Sequence, residues 1–210
     1  MEQRRVLSPG SADAPRVTPD LIIRRLACCP QPAPADAGLD PGTMVPAAVL
    51  VPLIERPGAM TVLLTRRTAH LAHHPGQISF PGGRLEPEDR GDVVACALRE
   101  SHEEVGLPPG RVRVLGRLPP LATGTGFWID PIIGLVDLPV AFAPDPFEVA
   151  ELIEVPLSFI LDPANHRLGG PERNGLRRPG WRLVWGEAEI WGATAAMLVT
   201  LSTVLADEPG

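Results

Sequence analysis

The sequence contains no tyrosine and few aromatic residues of any kind. Aromatic side chains make up 4% of its 210 residues, so aliphatic side chains must fill most of the core. No apolar run approaches the roughly 20 residues that a membrane-spanning helix needs, and the N-terminus has no apolar segment of signal-peptide length. We therefore expect a protein that has no membrane partner.

Cysteine is equally scarce. The three cysteines are too few, and odd in number, for a disulfide framework, and Cys28 and Cys29 are adjacent. Disulfides are rare in reducing compartments. The cysteine content therefore predicts a cytoplasmic protein.

Basic residues are outnumbered by acidic ones. There are 19 Lys and Arg against 25 Asp and Glu, which gives a formal net charge of -6. Nucleic acids and anionic membranes bind basic surfaces, so we expect neither as a partner. A small anionic substrate remains compatible, because a few well-placed cations or a bound metal can outweigh the overall charge.

Proline marks off the first part of the chain. Residues 1–43 read as a Pro-rich arm with one short helix, which begins with Thr18 as N-cap and Pro19 in the first turn. Residues 30–42 have the composition of a linker. We assign residues 44–210 to a single main domain. The pattern leaves open whether the arm docks on that domain or on another subunit.

The main domain alternates short aliphatic runs with turn residues. Strands are predicted over residues 45–52, 60–66, 77–80, 112–118, 132–137 and 181–185. Helices are predicted over residues 92–105 and 189–205. This irregular interleaving is not typical of a parallel doubly wound sheet. It predicts an α/β (α+β) fold in which a mixed β-sheet is sandwiched between helices.

The first of these helices carries three acidic residues on one side. A helical residue turns by about 100°, so Glu100, Glu103 and Glu104 lie within one narrow arc, and only Arg99 supplies an opposing charge within a turn. An ordinary acidic surface helix is one interpretation. The other is that the three carboxylates bind a hard divalent cation such as Mg²⁺, which prefers oxygen ligands. The glycine pair at residues 82–83 favours the cation, because it lets backbone approach a metal or phosphate closely.

This segment resembles the Nudix box, in which a Gly, five residues, a Glu and seven residues precede REUxEExGU, where U is aliphatic. Gly83 begins the box here, Asp89 stands where its first Glu is expected, and RESHEEVGL spans residues 99–107. Two departures are visible. Nine residues instead of seven separate Asp89 from Arg99, and Ser101 replaces an aliphatic residue. The resemblance implies the Nudix fold and a pyrophosphohydrolase.

Roles for the acidic residues follow from the resemblance alone. It implies Glu100, Glu103, Glu104 and the Gly82 carbonyl as ligands of Mg²⁺, with Mn²⁺ as an alternative cofactor. Such a cation neutralises a pyrophosphate and activates a water for attack on phosphorus. Catalytic roles fall on Glu103, on Arg99, which would orient the carboxylates, and on a general base. The candidates for this base are Glu148 and Glu151, although Glu148 could instead stabilise a helix N-terminus.

The residues before the box resemble the signature of the coenzyme A pyrophosphatase subfamily, LLTxR followed by HxGxxxFPGG. This resemblance assigns substrate binding to Arg66, His74, Gly76, Phe80 and Gly83. It implies hydrolysis of coenzyme A or its thioesters to 4'-phosphopantetheine, or its acyl form, and adenosine 3',5'-bisphosphate. Arg66 could also meet a substrate phosphate on charge grounds, whereas we interpret Arg67 as a surface charge.

Three alternatives remain open at this stage. The substrate could be another nucleoside diphosphate derivative, such as ADP-ribose or a dinucleoside polyphosphate. The domain could also be a non-catalytic nucleotide sensor, although its metal carboxylates are all present. Finally, His70, His73 and His74 could suggest zinc, but the further ligands of a closed zinc site are missing from the sequence. We expect a monomer or a homodimer.

Overall fold

The computed structural model describes residues 17–31, 43–71, 74–170, 172–173, 176–177 and 180–206. His73 lies outside these residues, and so does most of the expected linker. The helices are α1 (Pro19–Ala27), α2 (Val93–Val105), α3 (Leu157–Leu161) and α4 (Gly192–Ala206). The strands are β1 (Val45–Arg56), β2 (Ala59–Arg67), β3 (Ile78–Ser79), β4 (Gly82–Arg84), β5 (Val112–Arg117), β6 (Leu121–Ala122), β7 (Phe127–Val136), β8 (Val149–Pro156), β9 (Arg167–Leu168), β10 (Glu172–Arg173), β11 (Leu176–Arg177), β12 (Trp181–Trp185) and β13 (Ala188–Trp191).

A mixed sheet forms the centre of the described part of the chain. Its main path runs β3-β2-β1-β7-β5, while β4 pairs with β1, β6 with β7 and β8 with β2. The pairing of β1 with β7 is parallel and extends from Val45 opposite Phe127 to Ile54 opposite Val136, whereas β1 and β2 are antiparallel. Because β1 is nearly continuous in apolar residues and buried along most of its length, it is suited to the middle of the sheet.

Helices cover both faces of this sheet. On one face α2 packs Cys96, Ala97 and Val105 against Leu50 and other residues of the sheet. On the other face, residues of α1, α3 and α4 form a second and larger core with the sheet. The mixed sheet sandwiched between helices, expected from the sequence, is therefore confirmed.

The short helix α1 is docked on the main domain. Thr18 caps it by accepting a hydrogen bond from the Leu21 N–H at 3.3 Å. Ile22 and Leu26 are 0% and 5% exposed and belong to the larger core. Gly116 of β5 gives Leu26 room, because a Cβ at this position would lie 3.0 Å from the leucine side chain. Helix α1 of the N-terminal arm therefore docks on the main domain. The domain boundary after residue 43 stays a prediction.

The second long helix begins later than the sequence pattern predicted. Residues 189–191 were expected to be helical, but they belong to β13, which forms a hairpin with β12. Trp185 pairs with Ala188 across a two-residue turn that contains Gly186 at φ 57°, a conformation that favours glycine. Gly192, at φ 67°, then redirects the chain into α4. The predicted start of this helix at residue 189 was wrong, because residues 189–191 pair with β12 in the hairpin.

A strand and not a helix follows Glu148. The ladder between β2 and β8 extends from Thr61 opposite Pro156 to Arg67 opposite Val149. The alternative that Glu148 stabilises a helix N-terminus is therefore wrong. The two polar residues of β8, Glu151 and Glu154, are three positions apart, so the alternation typical of a half-buried strand is missing from this segment.

Two further expectations concern composition. Cys28 is an exposed thiol and Cys96 a buried one. No helix within the described residues is long and apolar enough to span a membrane.

The docking of α1 makes a prediction about stability. Ile22→Ala should lower the free energy of unfolding by about 3 kcal/mol, because it removes a buried side chain and leaves a cavity. Ile23→Ala is the matched control, since Ile23 is 38% exposed and its loss should cost less than about 1 kcal/mol. Urea denaturation followed by circular dichroism measures both. Equal effects of the two substitutions would contradict the docking.

Candidate active site

Helix α2 has well-defined ends that fix the position of its acidic face. The Asp92 side chain accepts hydrogen bonds from the N–H groups of Val94 at 2.8 Å and Ala95 at 3.3 Å. Gly106 ends the helix at φ 67°. The sequence predicted both the cap and the stop correctly. Ser101, which departs from the box pattern, is fully buried. Its hydroxyl group donates a hydrogen bond to the Ala97 carbonyl at 2.6 Å, so this buried polar group has a partner.

Arg99 is the most heavily bonded side chain of this region. Its Nε and Nη2 donate to the two carboxylate oxygens of Asp89 at 2.9 and 2.8 Å. Nη1 donates to Glu100 at 2.9 Å and to Glu103 at 3.1 Å. Nη2 also reaches the Arg84 carbonyl at 3.2 Å. This guanidinium therefore ties α2 to β4 and to the 3-10 turn at residues 87–89.

The glycine pair brings backbone directly against the acidic helix. A Cβ at Gly83 would lie only 2.7 Å from Oε2 of Glu100. The Cys96 thiol, one turn earlier on α2, donates to the Arg84 carbonyl at 3.3 Å. A side chain at residue 83 would therefore displace the Glu100 carboxylate, whereas a Cβ at Gly82 would lie 2.6 Å from the Cα of Val49, which makes glycine a steric requirement at residue 82.

Glu104 is a buried carboxylate in a negative environment. Its side chain is 7% exposed, and Nη1 of Arg67 lies 4.0 Å away. Burial, followed by the negative charge of Glu148, raises the pKa of Glu104 to about 8, although Arg67 opposes this shift. Burial also raises the pKa of Glu100, against the hydrogen bond from Arg99. Two neighbouring carboxyl groups therefore hold their protons more tightly than usual.

A bulge and a capping segment bring Arg67 and Glu148 to the acidic helix. The register of β2 with β8 shifts between Arg66 and Arg67, which redirects the Arg67 side chain. The Thr68 N–H bonds to the Glu148 carbonyl at 2.9 Å. Residues just before Glu148 bind the end of α2, since the Asp145 N–H donates to the Glu104 carbonyl at 2.9 Å. As a result, Arg67 Nη1 also lies 4.0 Å from the Glu148 carboxylate.

These groups open on one cleft of about 770 Å³, a size suited to a small-molecule ligand. Its floor comes from the glycine pair and α2, and its far side from the start of α4. The predicted residues that line it are His74, Phe80, Gly82, Gly83, Glu100, Glu104 and Glu148.

Four predicted site residues do not line the cleft. Arg99 lies behind Glu100 and acts on the carboxylates. Glu103 is exposed, with 58% of its side chain accessible. Gly76 has a φ of 69°, a left-handed backbone conformation that favours glycine whether or not a ligand binds there. Arg66 points away and pairs with Glu151 at 2.9 Å, so its role in substrate binding stays a prediction without a contact in the cleft.

Arg67 is the residue that sequence reasoning passed over. In the pattern LLTxR the final arginine falls on residue 67 when counted from Leu63, and not on residue 66. Arg67 lines the cleft, whereas we had interpreted it as a surface charge. A stricter count of the signature would have found it.

The donor atoms around the cleft suit a hard cation. They are carboxylate and backbone oxygens, the set that Mg²⁺ prefers. In the described residues, no three His, Cys, Asp or Glu side chains are placed closely enough to hold a metal ion. Arg99 pairs with Glu100 and Glu103, and Arg67 lies between Glu104 and Glu148. Of the three histidines before the box, His70 contacts Phe147 with ring centres 4.7 Å apart, and His73 lies outside the described residues.

Comparison with known families agrees with this geometry. A model of the NUDIX domain matches residues 44–157, which include the glycine pair, α2 and Glu148. The chain belongs to the Nudix family. It is a pyrophosphohydrolase enzyme, and Nudix hydrolases generally use divalent metals such as Mg²⁺.

Similar Nudix proteins occur in bacteria. NudL of Pectobacterium atrosepticum, described as an uncharacterized Nudix hydrolase, is 42% identical over 78% of this chain and 84% of its own length. NudL of Yersinia enterocolitica is 43% identical over 74% of this chain and 79% of its own length. The crystal structure of a Nudix hydrolase from M. smegmatis, RenU, aligns with 54% of this chain and 71% of its own at 28% identity, with a TM-score of 0.46. The family assignment rests on the domain match and the NudL relatives.

The Asp89–Arg99 pair predicts a loss of stability in acid. Arg99 lowers the pKa of Asp89 from 3.8 to about 2. Because the folded-state pKa lies below the unfolded one, the contribution is complete above about pH 4 and is lost as the pH falls towards 2. The difference in unfolding free energy between the natural protein and Asp89→Asn should shrink by about 1 kcal/mol between about pH 5 and pH 3. Urea titrations at each pH measure it, and a constant difference would contradict the assignment.

Proposed function

We propose that this Nudix enzyme hydrolyses the pyrophosphate bond of coenzyme A or its thioesters with Mg²⁺ as cofactor. The products are 4'-phosphopantetheine, or its acyl form, and adenosine 3',5'-bisphosphate. The observation that carries the proposal is one cleft that Glu100, Glu104 and Glu148 line together with Arg67 and with four residues of the HxGxxxFPGG signature, His74, Phe80, Gly82 and Gly83. The carboxylates would hold the metal, and the upstream signature would select the substrate.

The charge of the cleft supports a divalent cation. Three carboxylates line it, at Glu100, Glu104 and Glu148, against the two guanidinium groups of Arg67 and Arg84. When all three carboxylates are ionised, a pyrophosphate entering this surface would meet a net negative charge. Mg²⁺ bound there would neutralise the substrate oxygens and favour attack by water.

Glu104 supports the same conclusion. A carboxyl group whose pKa is about 8 would be largely protonated at neutral pH, and a bound cation would favour its charged form. Glu100 lies beside it at the glycine pair. We therefore propose Glu100, Glu103 and Glu104 as metal ligands, with the Gly82 carbonyl as a further oxygen donor.

The remaining groups would position substrate and water. Arg67 would bind the pyrophosphate, since a guanidinium suits phosphate geometry. Arg99 would keep the carboxylates of Glu100 and Glu103 in place through its hydrogen bonds. The Glu148 carboxylate lies 4.0 Å from Arg67 Nη1 in the cleft and is our candidate for the general base.

The substrate assignment is tested by product analysis. The protein is incubated with coenzyme A, ADP-ribose and a dinucleoside polyphosphate, each with and without Mg²⁺, and the products are separated by chromatography. We expect adenosine 3',5'-bisphosphate from coenzyme A only when metal is present. Metal-dependent turnover restricted to the other two substrates would contradict the coenzyme A assignment, and no turnover of any would favour a nucleotide sensor.

The metal assignment is tested by removing single charges. Glu103→Gln and Glu104→Gln should each lower kcat by about 100-fold or more, because each removes a charge that holds the cation. Glu88→Gln is the control, since Glu88 is exposed and lies outside the cleft. Isothermal titration calorimetry with Mg²⁺ alone should show weaker binding for the first two variants. Turnover near the natural level in both would show that the carboxylates do not bind the metal.

A further inference from the structure

Arg84 is a cation of the cleft that the proposed reaction does not use. It follows the glycine pair, is exposed, and lines the cleft. Among the described residues, no carboxylate lies within 4.0 Å of its guanidinium group. Arg67, by contrast, already faces Glu104 and Glu148. Arg84 is therefore available to bind an anionic group of a ligand.

The backbone of Arg84 is held firmly in place. It pairs with Ala47 in the ladder between β4 and β1. Its carbonyl accepts hydrogen bonds from Arg99 Nη2 at 3.2 Å and from the Cys96 thiol at 3.3 Å. The position of this cation is consequently fixed relative to the carboxylates of α2.

The side chain is also supported. The Arg84 guanidinium lies 5.3 Å from the centre of the Phe127 ring, a distance typical of a cation–π contact. Thr123 and Thr125 line the same rim of the cleft, and their hydroxyl oxygens are 3.0 Å apart. A guanidinium held by an aromatic ring beside hydroxyl groups is suited to a phosphate.

This rim lies apart from the position of Arg67. Arg84 pairs with Ala47 near the N-terminal end of β1, and its guanidinium reaches Phe127 of β7, which borders the other edge of β1. Arg67 is at the end of β2, next to β3 and β8. The glycine pair precedes Arg84 in β4, on the edge of β1 that also pairs with β2. A ligand whose pyrophosphate is bound at the glycine pair would thus meet a second basic position at the β7 side.

We propose that Arg84, supported by Phe127 and the rim threonines, binds a phosphomonoester of the substrate that is separate from the pyrophosphate. This inference rests on the proposed function, in which that group is the 3'-phosphate of coenzyme A. Arg84 is then a specificity-determining residue. It distinguishes coenzyme A from substrates such as ADP-ribose that carry only the pyrophosphate.

A substrate pair tests this role directly. Steady-state kinetics with Mg²⁺ are measured for coenzyme A and for dephospho-coenzyme A, which lacks only the 3'-phosphate. The natural enzyme should prefer coenzyme A in kcat/KM by about tenfold or more, the effect of one charge-assisted contact. In Arg84→Met this preference should disappear while kcat/KM for dephospho-coenzyme A stays within about twofold. Arg84→Lys should restore part of it through its charge.

Arg113→Met is the matched control, because Arg113 is an exposed arginine of β5 outside the cleft. It should keep the natural preference. Equal loss of activity on both substrates in Arg84→Met would overturn the proposal, because Arg84 would then serve the shared pyrophosphate or the fold. An enzyme that does not distinguish the two substrates would overturn it as well.

A binding measurement separates this proposal from the proposed function. Adenosine 3',5'-bisphosphate and AMP are titrated into the natural protein and into Arg84→Met by calorimetry. Tighter binding of the bisphosphate to the natural protein, lost in the variant, supports the phosphomonoester site even if coenzyme A is not hydrolysed. In that case only the proposed function fails. Equal binding of the two nucleotides to the natural protein overturns the site whatever the outcome of the assays.

Discussion

The guanidinium of Arg99 is the interaction on which the candidate site depends. Its five N–H donors reach Asp89, Glu100, Glu103 and the Arg84 carbonyl. These groups belong to a 3-10 turn, a helix and a strand. A lysine could offer only three donors without the planar arrangement. One side chain therefore holds together three segments whose relative positions define the acidic face.

The same contact explains the lengthened box. Asp89 is buried and also accepts a hydrogen bond from the Glu86 N–H at 2.9 Å, so its carboxylate is held in a tight turn at residues 87–89. Arg90 and Gly91 follow at φ 52° and 77° and carry the chain back to the N-cap of α2. This reversal lies within the nine residues that separate Asp89 from Arg99. The helix and its acidic face keep their position against the glycine pair.

Local patterns in the sequence were enough to predict α2, because its capping residue, its apolar spacing and its terminal glycine all agree. They also predicted the sandwich of helices around a mixed sheet. They missed β8, because Glu151 and Glu154 do not alternate with its apolar residues. They placed the start of α4 too early, because residues 189–191 pair with β12 across a two-residue turn. The position of Arg67 in the cleft depends on a bulge against β8. Such a shift of register is a tertiary effect that the residues of β2 do not encode alone.

The parallel pairing of β1 with β7 has a consequence for the order in which the chain can fold. Residues 45–56 leave the ribosome early, yet one edge of their strand is completed only by residues 127–136. Until that later segment has been synthesised, the unpaired backbone groups of an apolar strand stay open to other partners. The strand at the centre of the finished sheet is thus the one most in need of protection during translation. Its early neighbours β2 and β4 can cover only its other edge.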